Sequence, residues 1–398
     1  MYRDDFPMLK KDIIYLDNGA TSLKPQTVID KIVDYYENYS ANAHRGDYDI
    51  SYKVDLEYEN TRELVKNFIG ARKKEEIVFT SGTTDSINLI VNGFFANYLE
   101  KNDEILITKS EHASNIMPWF RVSGNTGAVV KYIPLDENNF VTLDNVKKMI
   151  TPNTKVISLA EITNVIGDIR PIKEICEYAH ERNIFVVVDG AQSIPHKKID
   201  VQDSDIDFLA FSAHKMCGPT GVGVLYAKYE LMNNIEPVNL GGGMNESFSS
   251  PDNMILKEIP SRLEAGTPNI AGVIGLGEAI KYLNKIGMDN IEKKEKELRK
   301  YFIEKLINIP HIDILNLESD SGIVAFNVDG VFSEDVAYYL NKYGICVRAG
   351  SHCAKLTKDI FGFSNSLRVS LYFYNTESEI DALIELLKDK DKIMREML

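Results

Sequence analysis

Short apolar runs alternate along much of this chain with stretches in which apolar residues recur at helical spacing. The runs Glu76-Ile77-Val78-Phe79-Thr80, Glu104-Ile105-Leu106-Ile107, Lys155-Val156-Ile157-Ser158-Leu159 and Ile184-Phe185-Val186-Val187-Val188 are rich in β-branched residues, the pattern of strands buried on both faces. Helices are predicted in the gaps near 84–98, 114–121, 142–150 and 171–182. This alternation predicts βα units, an α/β fold with a mostly parallel sheet between layers of helices. Ligands in such folds sit beyond the carboxyl ends of the strands, so residues just after each strand are the first candidates for chemistry. From residue 285 the pattern changes to a long charged helix over 291–306, the short strand Ile323-Val324-Ala325-Phe326-Asn327-Val328 and a closing helix rich in Asp, Glu and Lys. A large domain over 16–284 and a smaller α+β domain made of 1–15 and 285–398 are therefore expected.

Composition narrows the function without naming it. A chain of 398 residues exceeds the size at which one core usually stops growing. Acidic residues outnumber basic ones by 59 to 45, a formal charge of −14, and no stretch interleaves Lys and Arg with aromatics. Nucleic acid is an unsuitable partner for such a surface. Residues Met1 to Pro7 carry no basic leader followed by an apolar stretch, and no apolar run approaches the ~20 residues that span a bilayer. A soluble, unexported, cytoplasmic protein with no membrane partner is expected. The four cysteines, Cys176, Cys217, Cys346 and Cys353, are scattered and form no Cys-x-x-Cys pair, which suits a reducing compartment.

The strand ends then supply chemistry. Ser81-Gly82-Thr83-Thr84 follows one strand and opens a helix. Free N–H groups, a positive dipole end and hydroxyls meet there, as a phosphate requires, although an ordinary helix cap would look the same. Gly221 and Gly223 lead into a strand pattern and so do not make a dinucleotide fingerprint. Asp189 ends an apolar run, where an unpaired carboxylate is costly; it suits the protonated pyridine nitrogen of pyridoxal phosphate. Lys215, at the exit of a later strand in Phe211-Ser212-Ala213-His214-Lys215, suits the covalent link to that cofactor. Ser212 and His214 flank it as phosphate ligands.

Longer motifs follow in order: Tyr15-Leu16-Asp17-Asn18-Gly19-Ala20, Ala43-His44-Arg45-Gly46, Glu111-His112-Ala113-Ser114-Asn115, Asp189-Gly190-Ala191-Gln192, Ala265-Gly266-Thr267-Pro268-Asn269 and Arg348-Ala349-Gly350-Ser351-His352-Cys353-Ala354. Through these, over essentially its whole length, the chain resembles the fold-type I, class V aminotransferase-like enzymes that use pyridoxal phosphate, and within them the SUF-type (group II) cysteine desulfurases. The resemblance implies a seven-stranded, mostly parallel sheet in the large domain and a cysteine loop carried by the small one. It implies pyridoxal 5'-phosphate as an aldimine on Lys215, Asp189 at the pyridine nitrogen, Gln192 at the ring oxygen and His112 stacked on the ring. Thr83, Thr84, Ser212 and His214 would hold the phosphate, and Thr267 would reach it from the second subunit of a homodimer. Asn164 and Arg368 would bind the substrate carboxylate, with His44 and Arg348 also in the substrate site. Lys215, His112 and Cys353 would be catalytic.

Cys353 decides the reaction type. A desulfurase needs a thiolate that attacks the sulfur of bound L-cysteine, leaving a persulfide on the protein and releasing alanine, and a sulfur-acceptor protein, a SUF-type carrier or scaffold, then collects the sulfur. Positive charge on Arg348 and His352 favours a thiolate. Cys176 and Cys346 read as buried small apolar residues, and Cys217 as a packing residue. Zinc on His44, His112, His352 and Cys353 lacks the usual ligand spacing, and no metal is expected. Selenocysteine lyase or another class V activity is the nearest alternative. A catalytically weak binding or regulatory subunit is the alternative from a different class.

Overall fold

In a computed structural model of the chain, which describes residues 2–43 and 46–397, the apolar runs form the centre of a seven-stranded sheet. In spatial order its strands are Ile77–Thr80, Gly223–Ala227, Phe208–Ser212, Phe185–Asp189, Thr154–Ala160, Glu104–Ile107 and Val129–Tyr132. The last five pair in parallel, whereas Gly223–Ala227 runs antiparallel to both of its neighbours. The sheet is therefore mixed, with one reversed strand. Its reversal follows from chain length: the link from Ser212 to Gly223 is shorter than the dozen or so residues that a parallel crossover requires.

Strand alternation builds two cores. Val186, Val188, Leu209 and Phe211 face one side with helices Asp49–Ile69 and Ile270–Ile286. Val187, Phe208 and Ala210 face the other, beneath Phe94, Phe95 and Trp119. Consecutive residues point to opposite faces, so a run that is apolar at every position is buried on both. The helix expected over 84–98 is one helical run from Thr83 to Tyr98 with a wide turn over Val91–Phe95. At that turn a Cβ on Gly93 would meet the Glu236 carbonyl oxygen at 2.4 Å, a close approach only glycine allows.

The later part of the chain forms a second, four-stranded antiparallel sheet in the order Ile312–Ile314, Ile323–Val328, Ser366–Ser370, Arg348–Gly350. Its own apolar core joins Val324, Phe326 and Val369 to Phe302 of helix Met288–Leu306 and Leu383 of helix Glu377–Leu387. The chain start joins this part, because Ile14–Tyr15 pairs in parallel with Ile345–Cys346. The expected closing helix is two helices, Glu377–Leu387 and Lys390–Met397. Among the described residues no helix is long and apolar enough to cross a membrane.

Candidate active site

The carboxyl ends of the large sheet and one edge of the small sheet enclose a cavity of about 230 Å³. At one corner, helix Thr83–Ile90 begins, so its first N–H groups lack partners within the helix. The Thr83 backbone N–H donates to Ser212 Oγ at 2.7 Å, and Thr83 Oγ1 lies 2.6 Å from the same atom. Thr84 Oγ1 meets Ser114 Oγ at 2.7 Å. Gly223 lets the reversed strand press against this corner, since a Cβ there would lie 2.4 Å from Gly82 Cα. Hydroxyls and free N–H groups thus converge as an anion cradle.

Asp189 closes its strand with 4% exposure, and its Oδ1 accepts from the Ala191 N–H at 2.9 Å. Burial pushes its carboxyl up to about 6. Burial likewise pushes the Lys215 amine down to about 8, with Arg368 and Arg348 adding to the effect and Asp189 opposing it. Cavity residues His112 and His214 are both held down to about 4, mainly by burial and then by Lys215. The Ser114 N–H donates to His112 Nδ1 at 3.1 Å, so the neutral ring carries its proton on Nε2. Gln192 Nε2 donates to the Gly19 carbonyl at 2.7 Å, while its Oε1 is buried without a partner.

The opposite wall comes from the small sheet. Arg348 and Arg368 are direct cross-strand partners, which brings both guanidinium groups to the cavity. Arg368 is 1% exposed; its Nη1 donates to the Asn164 carbonyl at 2.8 Å and its Nη2 to Asp17 Oδ1 at 2.9 Å, leaving Nε unpaired. Asn164 Nδ2 donates to the His352 carbonyl at 2.7 Å, and its Oδ1 is unpaired. Cys353 is exposed at the cavity mouth, with Arg348 Nη2 3.8 Å from its Sγ.

Not every expectation survives. His352 does not bring charge to Cys353: its ring is buried, its Nε2 lies 3.0 Å from both the Ser366 carbonyl and Ser366 Oγ, and burial beside Arg368 holds it down to about 3. Among the described residues Arg348 approaches Sγ at 3.8 Å, and Lys215 also interacts electrostatically with Cys353. Cys346 is half-buried rather than buried, in a short strand that pairs only with Ile14–Tyr15 among the described residues. Cys176 and Cys217 are fully buried in the main core. Thr267 is exposed in a loop outside this chain's own cavity, and His44 lies outside the described residues.

The model of the aminotransferase class-V family matches residues 14–383. The chain belongs to the aminotransferase class-V family. A probable cysteine desulfurase of Halalkalibacterium halodurans is 44% identical over 95% of this chain and 94% of its own length. A cysteine desulfurase of Haloferax volcanii is 38% identical over 96% of this chain and 94% of its own. Among solved structures, the cysteine desulfurase CsdA of Escherichia coli superposes with a TM-score of 0.93 at 36% identity, covering 100% of this chain and 98% of that one. A cysteine desulfurase of Thermococcus onnurineus gives 0.94 at 36% identity over 99% and 98%.

As a member of this family the protein has the fold-type I architecture of pyridoxal phosphate enzymes, and its residues fit that cofactor. The Thr83–Ser212 corner has hydroxyls that could meet a phosphate, the buried Asp189 carboxyl would be matched by a protonated pyridine nitrogen, and the buried Gln192 Oε1 is an acceptor without a partner on the cavity wall. An amine attacks a carbonyl only when neutral, and the neutral fraction of Lys215 rises tenfold per pH unit below about 8. Uptake of pyridoxal phosphate by the cofactor-free protein, measured as borohydride-fixed cofactor, is expected to accelerate up to pH about 8 and then level off. A rate that is flat between about pH 6 and about pH 10 would contradict the depressed amine.

Sequence reasoning singled out the His112 motif but missed its support. Glu111 and Arg170 form a fully buried ion pair, Glu111 Oε2 accepts from Asn115 Nδ2 at 2.9 Å, and Asn115 Oδ1 accepts from Ser158 Oγ at 2.6 Å. This network fixes the turn bearing His112 and Ser114. Arg170→Met leaves Glu111 and Asp168 as buried unpaired carboxylates, so a loss of about 3–5 kcal/mol in denaturant unfolding is expected. A change below about 1 kcal/mol would show that the network does not hold the fold.

Proposed function

We propose that the protein is a SUF-type, pyridoxal-phosphate-dependent cysteine desulfurase. It converts L-cysteine to L-alanine and takes the sulfur onto Cys353 as a persulfide, for iron–sulfur cluster or other sulfur-containing cofactor assembly. The observation that carries this reading is an exposed cysteine facing the same cavity as a half-buried lysine with a depressed amine and a strand-end aspartate. Pyridoxal phosphate, when bound, supplies an electron sink for the carbanion that forms at the substrate Cα. Lys215 takes the Cα proton as a neutral amine, and Asp189 holds the pyridine nitrogen protonated. His112, neutral and protonated at Nε2, would stack on the cofactor ring and serve proton transfer. Arg368 and Asn164 orient the substrate carboxylate, and Thr83, Thr84, Ser212 and His214 hold the phosphate.

The Cys353 thiolate then attacks the substrate sulfur: an S–S bond forms, the substrate C–S bond breaks, and its electron pair remains with the three-carbon fragment, which is protonated and leaves as alanine. Arg348 Nη2, 3.8 Å from Sγ, faces the nucleophile from the cavity wall. The proposal includes a cytoplasmic homodimer in which Thr267 reaches the partner's phosphate site, and a sulfur-acceptor protein as the next partner. It also divides the chain into 16–284 and a small domain of 1–15 with 285–398, supported by the separate apolar core of the small sheet. The test is alanine release from L-cysteine by the cofactor-loaded protein with a thiol reductant present. Alanine and sulfide in equal amounts are expected; no alanine would reject the reading.

A further inference from the structure

The loop that presents Cys353 holds an unusual backbone. His352 and Cys353 have φ of 50° and 59°, two successive non-glycine residues in the left-handed region. Side chains with a Cβ avoid that region, so such a pair persists only where the surroundings fix it. Three ties do so. The His352 carbonyl accepts from Asn164 Nδ2 at 2.7 Å, the Cys353 carbonyl accepts from the Ala113 N–H at 2.8 Å, and the His352 ring reaches Ser366 at 3.0 Å. His352 and Ser366 are 4% and 1% exposed. Ser366 opens the strand that carries Arg368, and Ala113 adjoins His112, so the ties connect the cysteine loop to the elements expected to hold substrate and cofactor.

We infer that His352 is a positioning residue for Cys353, acting through its buried ring on Ser366 and not through charge. The inference rests on the proposed function, since it assigns a role within that site. The ring donates Nε2–H to the Ser366 carbonyl and packs under the strand, which pins the left-handed turn and aims Sγ at the cavity. His352 is the one residue of the loop anchored both by its carbonyl and by its ring. An anchored nucleophile keeps its distance to the reacting sulfur, and a displacement of about 1 Å can cost up to about 100-fold in rate.

The test compares His352→Gln, His352→Asn and Ser366→Ala in the cofactor-loaded protein. Two quantities are measured: kcat and KM for alanine release, and the pH profile of Cys353 alkylation by iodoacetamide in resting protein. His352→Gln is expected to lower kcat about tenfold with KM changed less than about twofold, and Ser366→Ala about threefold. His352→Asn recovers part of the loss, because Asn tolerates the left-handed region. In all three the plateau alkylation rate changes while its pH midpoint stays put. An upward shift of the midpoint in His352→Gln would assign His352 a charge role and overturn the inference. So would wild-type kcat in both His352→Gln and Ser366→Ala. If His352→Gln does not fold, Ser366→Ala decides alone: unchanged kcat and plateau rate overturn the inference. If wild-type protein makes no alanine, the proposed function falls, while the alkylation comparison still judges the anchoring.

Discussion

Lys215→Ala is expected to yield folded protein that carries no borohydride-fixable cofactor and turns over L-cysteine roughly 10⁴-fold more slowly than wild type, or not at all. The side chain sits at the exit of strand Phe208–Ser212, in the same cavity as Asp189, with its amine held down to about 8 by burial. A lysine in solvent would be almost fully protonated at neutral pH and a poor nucleophile or base. Burial alters that state, and the two arginines of the small sheet strengthen the effect. Alanine supplies neither the amine that links to the cofactor nor the base for the Cα proton. Wild-type-like turnover would refute the assignment of Lys215.

Cys353→Ser is expected to separate cofactor chemistry from sulfur transfer. The variant should bind pyridoxal phosphate as wild type does, because the loop's tie to Ala113 beside His112 is made by the Cys353 backbone carbonyl, which the substitution keeps. It should add no sulfur to the protein and release alanine at least about 100-fold more slowly, because a hydroxyl at neutral pH is a far weaker nucleophile than a thiolate. Stability should change by less than about 0.5 kcal/mol, since Cys353 is exposed. A Cys353→Ser protein that still forms a persulfide would place the sulfur acceptor on another cysteine. Cys176 and Cys217 are poor substitutes, because burial raises both thiols and hides them in the core.

Legibility in the sequence followed the physics of each element. The strands at 104–107, 154–160 and 185–189 could be read because strands covered on both faces carry near-continuous apolar runs. Strand Val129–Tyr132 lies at the sheet edge, partly exposed, and carries no such signal. Helix Ile270–Ile286 was also missed. Its first half, Ile270 to Gly277, carries no polar residue and is buried all round, and its Gly275 and Gly277 sit where a Cβ would press on Ile32 and Thr61, so that half shows no polar face. That Gly223–Ala227 lies beside Phe208–Ser212, which with the short link forces its reversal, depends on pairing that local patterning does not encode.

The site divided along similar lines. Thr83, Asp189, Ser212 and Lys215 were legible because each lies at a strand exit or helix start, positions that pattern alone identifies. Arg348, Cys353 and Arg368 were carried by the family resemblance, and the structure brings all three to the same cavity. The orientation of His352 was not legible, because it depends on a left-handed backbone and on Ser366, a partner on another strand. Asp17 as the partner of Arg368, and the Glu111–Arg170 pair behind His112, were hidden for the same reason: both join residues far apart in the chain.

The most direct test of the account is mass spectrometry of the cofactor-loaded protein after incubation with L-cysteine, with alanine assayed in the supernatant. One added sulfur, about 32 Da, is expected on the peptide containing Cys353, appearing together with alanine. Neither product from fully loaded protein would contradict it, and alanine with sulfur on no cysteine would contradict the assignment of Cys353 as acceptor.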